Sequence, residues 1–257
     1  MSRSLRLFVA GAGPAYSDRP SAVGSAYVVR GDGAAILLDL GQGTFPRLFT
    51  VTRPEDLAAV LISHLHPDHF VDLVPLRHYL RFELDAGRRV RVIAPDALAA
   101  RLDALSGEPA FADGALAIEP LRAGSVEAPG SGLTIVAAPV THRDQAFAFR
   151  VAPAPDGPAL VYSGDCGRAS DLDPLIRPGD WLLSEVSFGT GPAPVADLHL
   201  DATAVGDLAA RTGASRVLLT HLQMGYAPQA TIDAVRARYD GPVALVAPGD
   251  DLALSPD

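Results

Sequence analysis

Apolar residues along the chain fall in short runs, most of them closed by glycine, proline, serine or a charged residue, and runs of that length read as strands or short helices. Leu7–Ala10 reads as a first strand that passes into a Gly11-Ala12-Gly13-Pro14 turn, and Ala26–Arg30 with Ala34–Leu40, split by Gly31-Asp32-Gly33, as a hairpin. Pro54–Ala59 reads as a short helix with proline in its first turn, leading into the strand Val60–Ser63. Phe70–Leu84 and Pro95–Leu105 carry helical spacing, with Val90–Ile93 a strand between them. Further strands are expected at Leu133–Ala137, Phe147–Val151, Ala159–Ser163 and Trp181–Leu183, with Pro153–Pro158 a tight hairpin loop. The last third predicts a helix at Ala202–Thr212, a strand at Arg216–Thr220, a helix near Pro228–Tyr239 and a strand at Val243–Val246. Hairpins mixed with βα units imply an α/β sandwich, two sheets with helices outside, and no repeat or low-complexity tract interrupts it.

Composition removes several chemistries. The 257 residues, 48% apolar with mean hydropathy +0.19, suit one folded domain over 1–257. Lysine is absent, which excludes a Walker A loop, a Schiff base and a Ser–Lys dyad. The lone Cys166 excludes an intrachain disulfide, a cysteine-rich zinc module and a protein-ligated iron–sulfur cluster. A net charge of −9 argues against a dedicated polyanion binder. Arg3 and Arg6 precede an apolar run too short for a signal peptide, and no run approaches a membrane span, so a cytoplasmic address without membrane partners is expected.

One string carries chemistry: Ser63-His64-Leu65-His66-Pro67-Asp68-His69. It holds three of the seven histidines, and at this composition chance would produce the pattern in roughly one chain in two thousand. It follows a strand and precedes a helix, where a sheet presents side chains. Imidazole and carboxylate without thiolate suit zinc, with manganese or iron as alternatives. His142, Asp165 and His221 each end an apolar β run and complete a two-metal set with the cluster.

The string resembles the signature of the metallo-β-lactamase fold superfamily, and the resemblance covers nearly the whole chain. It implies a four-layer αββα sandwich and two divalent metal ions. By that resemblance His64, His66 and His142 would hold the first ion, Asp68, His69 and His221 the second, and Asp165 would bridge them. Leu37-Leu38-Asp39-Leu40-Gly41-Gln42-Gly43 resembles the family's strand and glycine turn beneath the site, with Asp39 organising the metal loop from behind.

Asp197-Leu198-His199-Leu200-Asp201-Ala202-Thr203-Ala204 resembles the extra histidine motif of ribonuclease Z-like phosphodiesterases, including compact bacterial cyclic-nucleotide phosphodiesterases. Glu185 resembles the glutamate that orients that histidine, and it reads equally as a buried structural acid. Two departures matter. Only 22 residues separate His142 from Asp165, too few for the long arm of tRNA-processing enzymes. Ala204 stands where many relatives place glutamate or glutamine.

The resemblance implies a hydrolase in which a hydroxide shared by two metals attacks, Asp68 orients it, and His199 protonates the leaving oxygen with Glu185 fixing its tautomer. The substrate expected is a small phosphodiester of the cyclic-nucleotide kind rather than tRNA. The alternative is a lactone, thioester, sulfate ester or β-lactam. Oligomeric state is left open, a homodimer included. Arg77 and Arg81, four apart on a helix, read as solvated arginines ahead of phosphate ligands, His78 as structural and Cys166 as packing. Gly11–Pro14 reads either as site lining or as a connection between strands.

Overall fold

The computed structural model describes residues 4–85 and 87–254. Arg3 lies outside them. Labelled in chain order, the first sheet runs β14 (Asp251–Leu254), β1 (Leu5–Ala12), β2 (Ser25–Arg30), β3 (Ile36–Leu38), β4 (Ala59–Leu61), β5 (Val90–Ala94), β6 (Leu116–Pro120) in space. The second runs β13 (Val243–Leu245), β12 (Arg216–Thr220), β11 (Trp181–Glu185), β10 (Leu160–Tyr162), β9 (Ala146–Ala152), β8 (Thr134–Val140), β7 (Gly124–Val126). Each sheet is mixed: antiparallel on one side, as at β1–β2 and β8–β9, and parallel on the other, as at β3–β4 and β11–β12.

Strand alternation sorts the apolar side chains into three cores. Leu7, Val9, Tyr27, Leu38 and Leu61 meet Phe149, Tyr162, Leu183 and Leu218 between the sheets. The other face of the first sheet, with Val28, Leu37 and Val60, packs on α1 (Phe45–Leu48), α2 (Pro67–Phe70), α3 (Leu73–Phe82) and α4 (Leu98–Ser106). The outer face of the second, with Val161, Leu182 and Val217, packs on α5 (Ala202–Thr212) and α6 (Pro228–Arg236). The result is the expected αββα sandwich. Runs such as Ile36–Leu38 and Leu160–Tyr162 are apolar throughout because helices cover one face and the other sheet the second.

Several expected boundaries move. The helix expected over Phe70–Leu84 is two pieces, because Asp72 N–H bonds the Leu40 carbonyl and the chain turns between α2 and α3. Pro54–Ala59 is a single 3₁₀ turn over Pro54–Asp56, with Ala59 already in β4. The strands β6, β7 and β14 were not expected. The loop Pro153–Pro158 does join an antiparallel pair, β9 and β10.

Candidate metal centre

The site gathers where strands of both sheets end. Beyond β4 the chain runs through His64 to His66, whose backbone is extended, then Pro67, first residue of α2, starts a single helical turn that carries Asp68 and His69. The motif therefore spans a loop and a helical turn rather than a loop alone. From the second sheet come His142 after β8, Asp165 after β10 and His221 after β12.

Two sets of donor atoms converge. His66 Nδ1 lies 3.0 Å from His64 Nε2 and 3.2 Å from His142 Nε2, and Asp165 Oδ2 stands 3.6 and 3.9 Å from those two Nε2 atoms. In the other set His221 Nε2 is 3.3 Å from His69 Nε2 and 3.1 Å from Asp68 Oδ2, with Asp165 Oδ1 3.3 Å from His69 Nε2 and 3.5 Å from His221 Nε2. Ligands about 2.0–2.1 Å from a tetrahedral ion stand about 3.3–3.4 Å apart, so both sets have coordination dimensions. Asp165 offers one oxygen to each. Its Oδ1 is buried with no hydrogen-bond partner, an orphan that a cation would satisfy.

The second nitrogen of most of these rings is held, which aims the first inward. Asp39 Oδ2 accepts from His69 Nδ1 at 2.8 Å, from Ser63 Oγ at 2.8 Å and from Tyr162 at 2.7 Å, while Oδ1 accepts from Ser63 N–H at 2.6 Å. Ser63 Oγ, having donated to Asp39, accepts from His64 Nδ1 at 3.1 Å. His142 Nδ1 donates to the Leu198 carbonyl at 2.9 Å, and His221 Nδ1 to Ser187 Oγ at 2.8 Å. Asp39 and His221 both hold left-handed backbone, φ 59° and 58°, a strain that fits their place at the site. Glycine is required at Gly41, where a Cβ would run into the Asp68 carbonyl.

Charge points the same way. Asp39, Asp68, Asp165 and Glu185 are buried together, and among the described residues no arginine is hydrogen-bonded to any of them. Burial pushes His69 down, but Asp165, Asp68 and Asp39 outweigh it and raise it well above the ordinary range. Burial holds His64 well below that range and His66 and His142 lower, so their lone pairs are free for a cation. Burial raises Asp165, yet His221, His69 and His64 bring it well below the ordinary carboxylate value. Buried anions of this density need compensating charge.

A matching family model, described as a beta-lactamase superfamily domain, spans residues 36–222, well over half the chain. The chain belongs to the metallo-β-lactamase superfamily. Among curated relatives of this superfamily member, an uncharacterized protein of Mycobacterium leprae (strain TN) is 32% identical over 240 residues, covering 90% of this chain and 82% of that one. The probable metallo-hydrolase YhfI of Bacillus subtilis (strain 168) is 27% identical over 203 residues, 77% and 79% of the two chains. The YhfI crystal structure superposes with TM-score 0.86 at 20% identity over 98% of this chain and 100% of that one. The short form of human tRNase Z gives 0.74 at 21% identity (97% and 99%), and unliganded yeast PDE1 0.71 at 11% (97% and 99%). At such identities the structural likenesses show the metallo-β-lactamase fold alone. The chain is a hydrolase-family member with His and Asp groups suited to metal.

His199 lies beside the two sets, with Nδ1 3.1 Å from Glu185 Oε1, 3.2 Å from Ser187 Oγ and 3.8 Å from Asp165 Oδ2. Burial lowers its pKa, but the Glu185 hydrogen bond and charge raise it overall. Both readings of Glu185 meet in one geometry. It is fully buried, accepts from Cys166 N–H, Leu200 N–H and Ser187, and also from His199. Ala204 does not break the local frame, because Asp201 caps α5 by accepting from Ala204 N–H at 2.9 Å.

Other expectations sort out by contact. Arg77 is not solvated. It is buried, donates to the Phe111 carbonyl at 2.7 Å and lies 4.1 Å over the Phe111 ring, so the surface reading of Arg77 is corrected. Arg81 is exposed against Phe82, and His78 bonds the Val74 carbonyl. Burial pushes the Cys166 thiol far up, consistent with packing. Ala12, in the Gly11–Pro14 segment, accepts from His221 N–H at 3.0 Å and so borders the site. A cleft of about 550 Å³ between Arg89, Asp96 and Glu119 shares no residue with the cluster. The sequence reading missed Tyr162 and Ser187. Neither stands in a motif, and only the three-dimensional contacts single them out.

Proposed function

We propose that the chain is a dinuclear metal-dependent hydrolase of small phosphodiesters of the cyclic-nucleotide kind. The observation that carries this is Asp165, whose two oxygens face two separate donor sets. His64, His66 and His142 would hold one ion, Asp68, His69 and His221 the other, and Asp165 both. Zinc suits this imidazole and carboxylate set, manganese or iron being the alternatives. Two such ions, when bound, supply Lewis acidity and lower the pKa of water from about 15.7 to about 7.

The chain's own residues then divide the work. Asp68 would accept the hydrogen bond of the attacking water and set its direction. His199 would give a proton from Nε2 to the leaving oxygen, while Glu185 Oε1 takes the hydrogen bond from Nδ1 and fixes the ring. In-line displacement at phosphorus suits paired ligand sets that face one another across a shared carboxylate. The yeast PDE1 and tRNase Z folds support phosphodiester chemistry. The connection from His142 to Asp165 is only the β9–β10 hairpin, which favours small diesters over folded tRNA.

Elemental analysis after gentle purification should give close to two equivalents of metal per chain. A panel of a 3′,5′-cyclic nucleotide, bis(p-nitrophenyl) phosphate, precursor tRNA, a lactone and an aryl sulfate should show turnover concentrated on the two small diesters. A reproducible single equivalent with no gain on adding metal overturns the dinuclear reading. Equal turnover on precursor tRNA overturns the size argument, and cleavage of the lactone alone overturns the diester reading.

A further inference from the structure

Two tyrosines lie crossed beneath the metal centre. Tyr27 belongs to β2 of the first sheet, and its hydroxyl lies 2.5 Å from Thr220 Oγ1 at the end of β12 in the second. Tyr162 belongs to β10 of the second sheet, and its hydroxyl donates at 2.7 Å to Asp39 Oδ2, next to β3 in the first. The two rings pack on each other with centroids 4.9 Å apart, and both residues are almost wholly buried. Each hydroxyl therefore bridges the sandwich in the opposite sense.

Both bridges end on the same donor set. Thr220 Oγ1 donates to the Ala12 carbonyl at 3.3 Å, so the Tyr27 hydroxyl is the donor to Thr220. That same carbonyl accepts from His221 N–H at 3.0 Å. At the other bridge, Asp39 Oδ2 receives Tyr162 O–H beside His69 Nδ1–H. His221 and His69 are the two histidines whose Nε2 atoms face each other at 3.3 Å, one from each sheet. A hydroxyl buried in an apolar core costs free energy unless it is bonded, so each bridge holds its sheet at a defined height.

We propose that Tyr27 and Tyr162 are positioning residues that set the spacing of His69 and His221, and with it the affinity for the ion held with Asp68. The inference rests on the dinuclear reading above. Outer partners of metal ligands typically govern about 10–100-fold in affinity. In the other set His64 and His142 are held by Ser63 Oγ and the Leu198 carbonyl, so Tyr162 reaches that set only through Asp39 and Ser63, one hydrogen bond further, and its ion should be affected less.

The test compares Tyr27→Phe, Tyr162→Phe and the double variant with Tyr239→Phe. Tyr239 is also buried and donates at 2.7 Å to the Ala214 carbonyl in the outer core, remote from the site. Apo-protein is titrated with zinc against a chromogenic chelator, and with cobalt followed by its absorption bands. In the double variant one of the two ions, the one held with Asp68, should bind about 10–100-fold less tightly and show shifted cobalt bands, with smaller effects in each single variant. Tyr239→Phe should lower the melting temperature yet leave both affinities unchanged. Should the double variant not fold, the single variants decide by the same readings. If wild type binds two ions and the tyrosine variants bind the second as Tyr239→Phe does, the inference falls. If wild type itself binds only one, it is the dinuclear reading that fails.

Discussion

At the scale of single residues, the proposed dinuclear site separates groups suited to hold metal from groups suited to act on substrate. His199 is the test case, because it touches Glu185 and Ser187, approaches Asp165 at 3.8 Å, and also groups with Asp165 and His221 as a third possible set of donors, outside the two proposed ones. His199→Ala should keep two metal equivalents and the wild-type fold, and lose about 10²–10⁴ in turnover, the range of a positioned proton donor. The loss should shrink on nitrophenyl esters, whose leaving group needs no proton. Loss of metal from this variant would make His199 a ligand, and an unchanged rate would remove it from the reaction. The His and Asp groups suited to metal were legible in sequence because such residues are few in type and close in spacing: His64, His66, Asp68 and His69 fall in six positions. The residues that orient them were legible only in part. Asp39 stands in a recognisable turn, whereas Tyr162, Ser187 and Thr220 reach Asp39, His221 and Ala12 by hydrogen bonds across long separations that leave no local pattern.

At the scale of elements, strands covered on both faces were readable as apolar runs, and the strands at or near the margins were not. β6 mixes Glu119 into its run, β7 is only Gly124–Val126, and β14 alternates with Asp251 and Ala253 exposed. Such strands exist by pairing with a neighbour, which is tertiary information. β14 is also held by charge. Asp251 Oδ1 accepts from Arg30 at 2.7 Å and from Arg6 Nε at 3.3 Å, joining β14 to β1 and β2. Partial burial raises the Asp251 pKa, but the two arginines outweigh it and bring it below the ordinary 3.8. A carboxylate depressed in the folded state stabilises that state above the ordinary value and ceases to do so as pH falls through the folded pKa. The side chain is 35% exposed, so solvent screening limits the pair to about 1 kcal/mol or less. Asp251→Asn should therefore unfold at lower denaturant than wild type at pH 7, with faster amide exchange in β14, and the difference should close below about pH 4. A difference that persists in acid would assign it to packing.

At the scale of the whole molecule, the donor sets matter because neither sheet completes one alone. His64, His66, Asp68 and His69 leave the first sheet, and His142, Asp165 and His221 leave the second. An ion in either position would therefore join the two halves of the sandwich, and folding would be linked to metal. A ligand at about 100 times its Kd stabilises the folded state by about 2.7 kcal/mol, which for a domain near this size raises Tm by roughly 5–10 °C. Without metal, the buried carboxylates are offset by histidines and by neutral hydrogen-bond donors such as Ser63, Tyr162 and Ser187. Stripping the protein with a chelator should thus lower Tm by at least that amount, and returning zinc should restore it. Asp165→Ala, which removes the one side chain shared by both sets, should start with little metal and respond to neither treatment. A chelated protein that has demonstrably lost its metal but melts at the wild-type temperature would show that the sandwich is closed by its apolar core alone, with the ions serving only the chemistry.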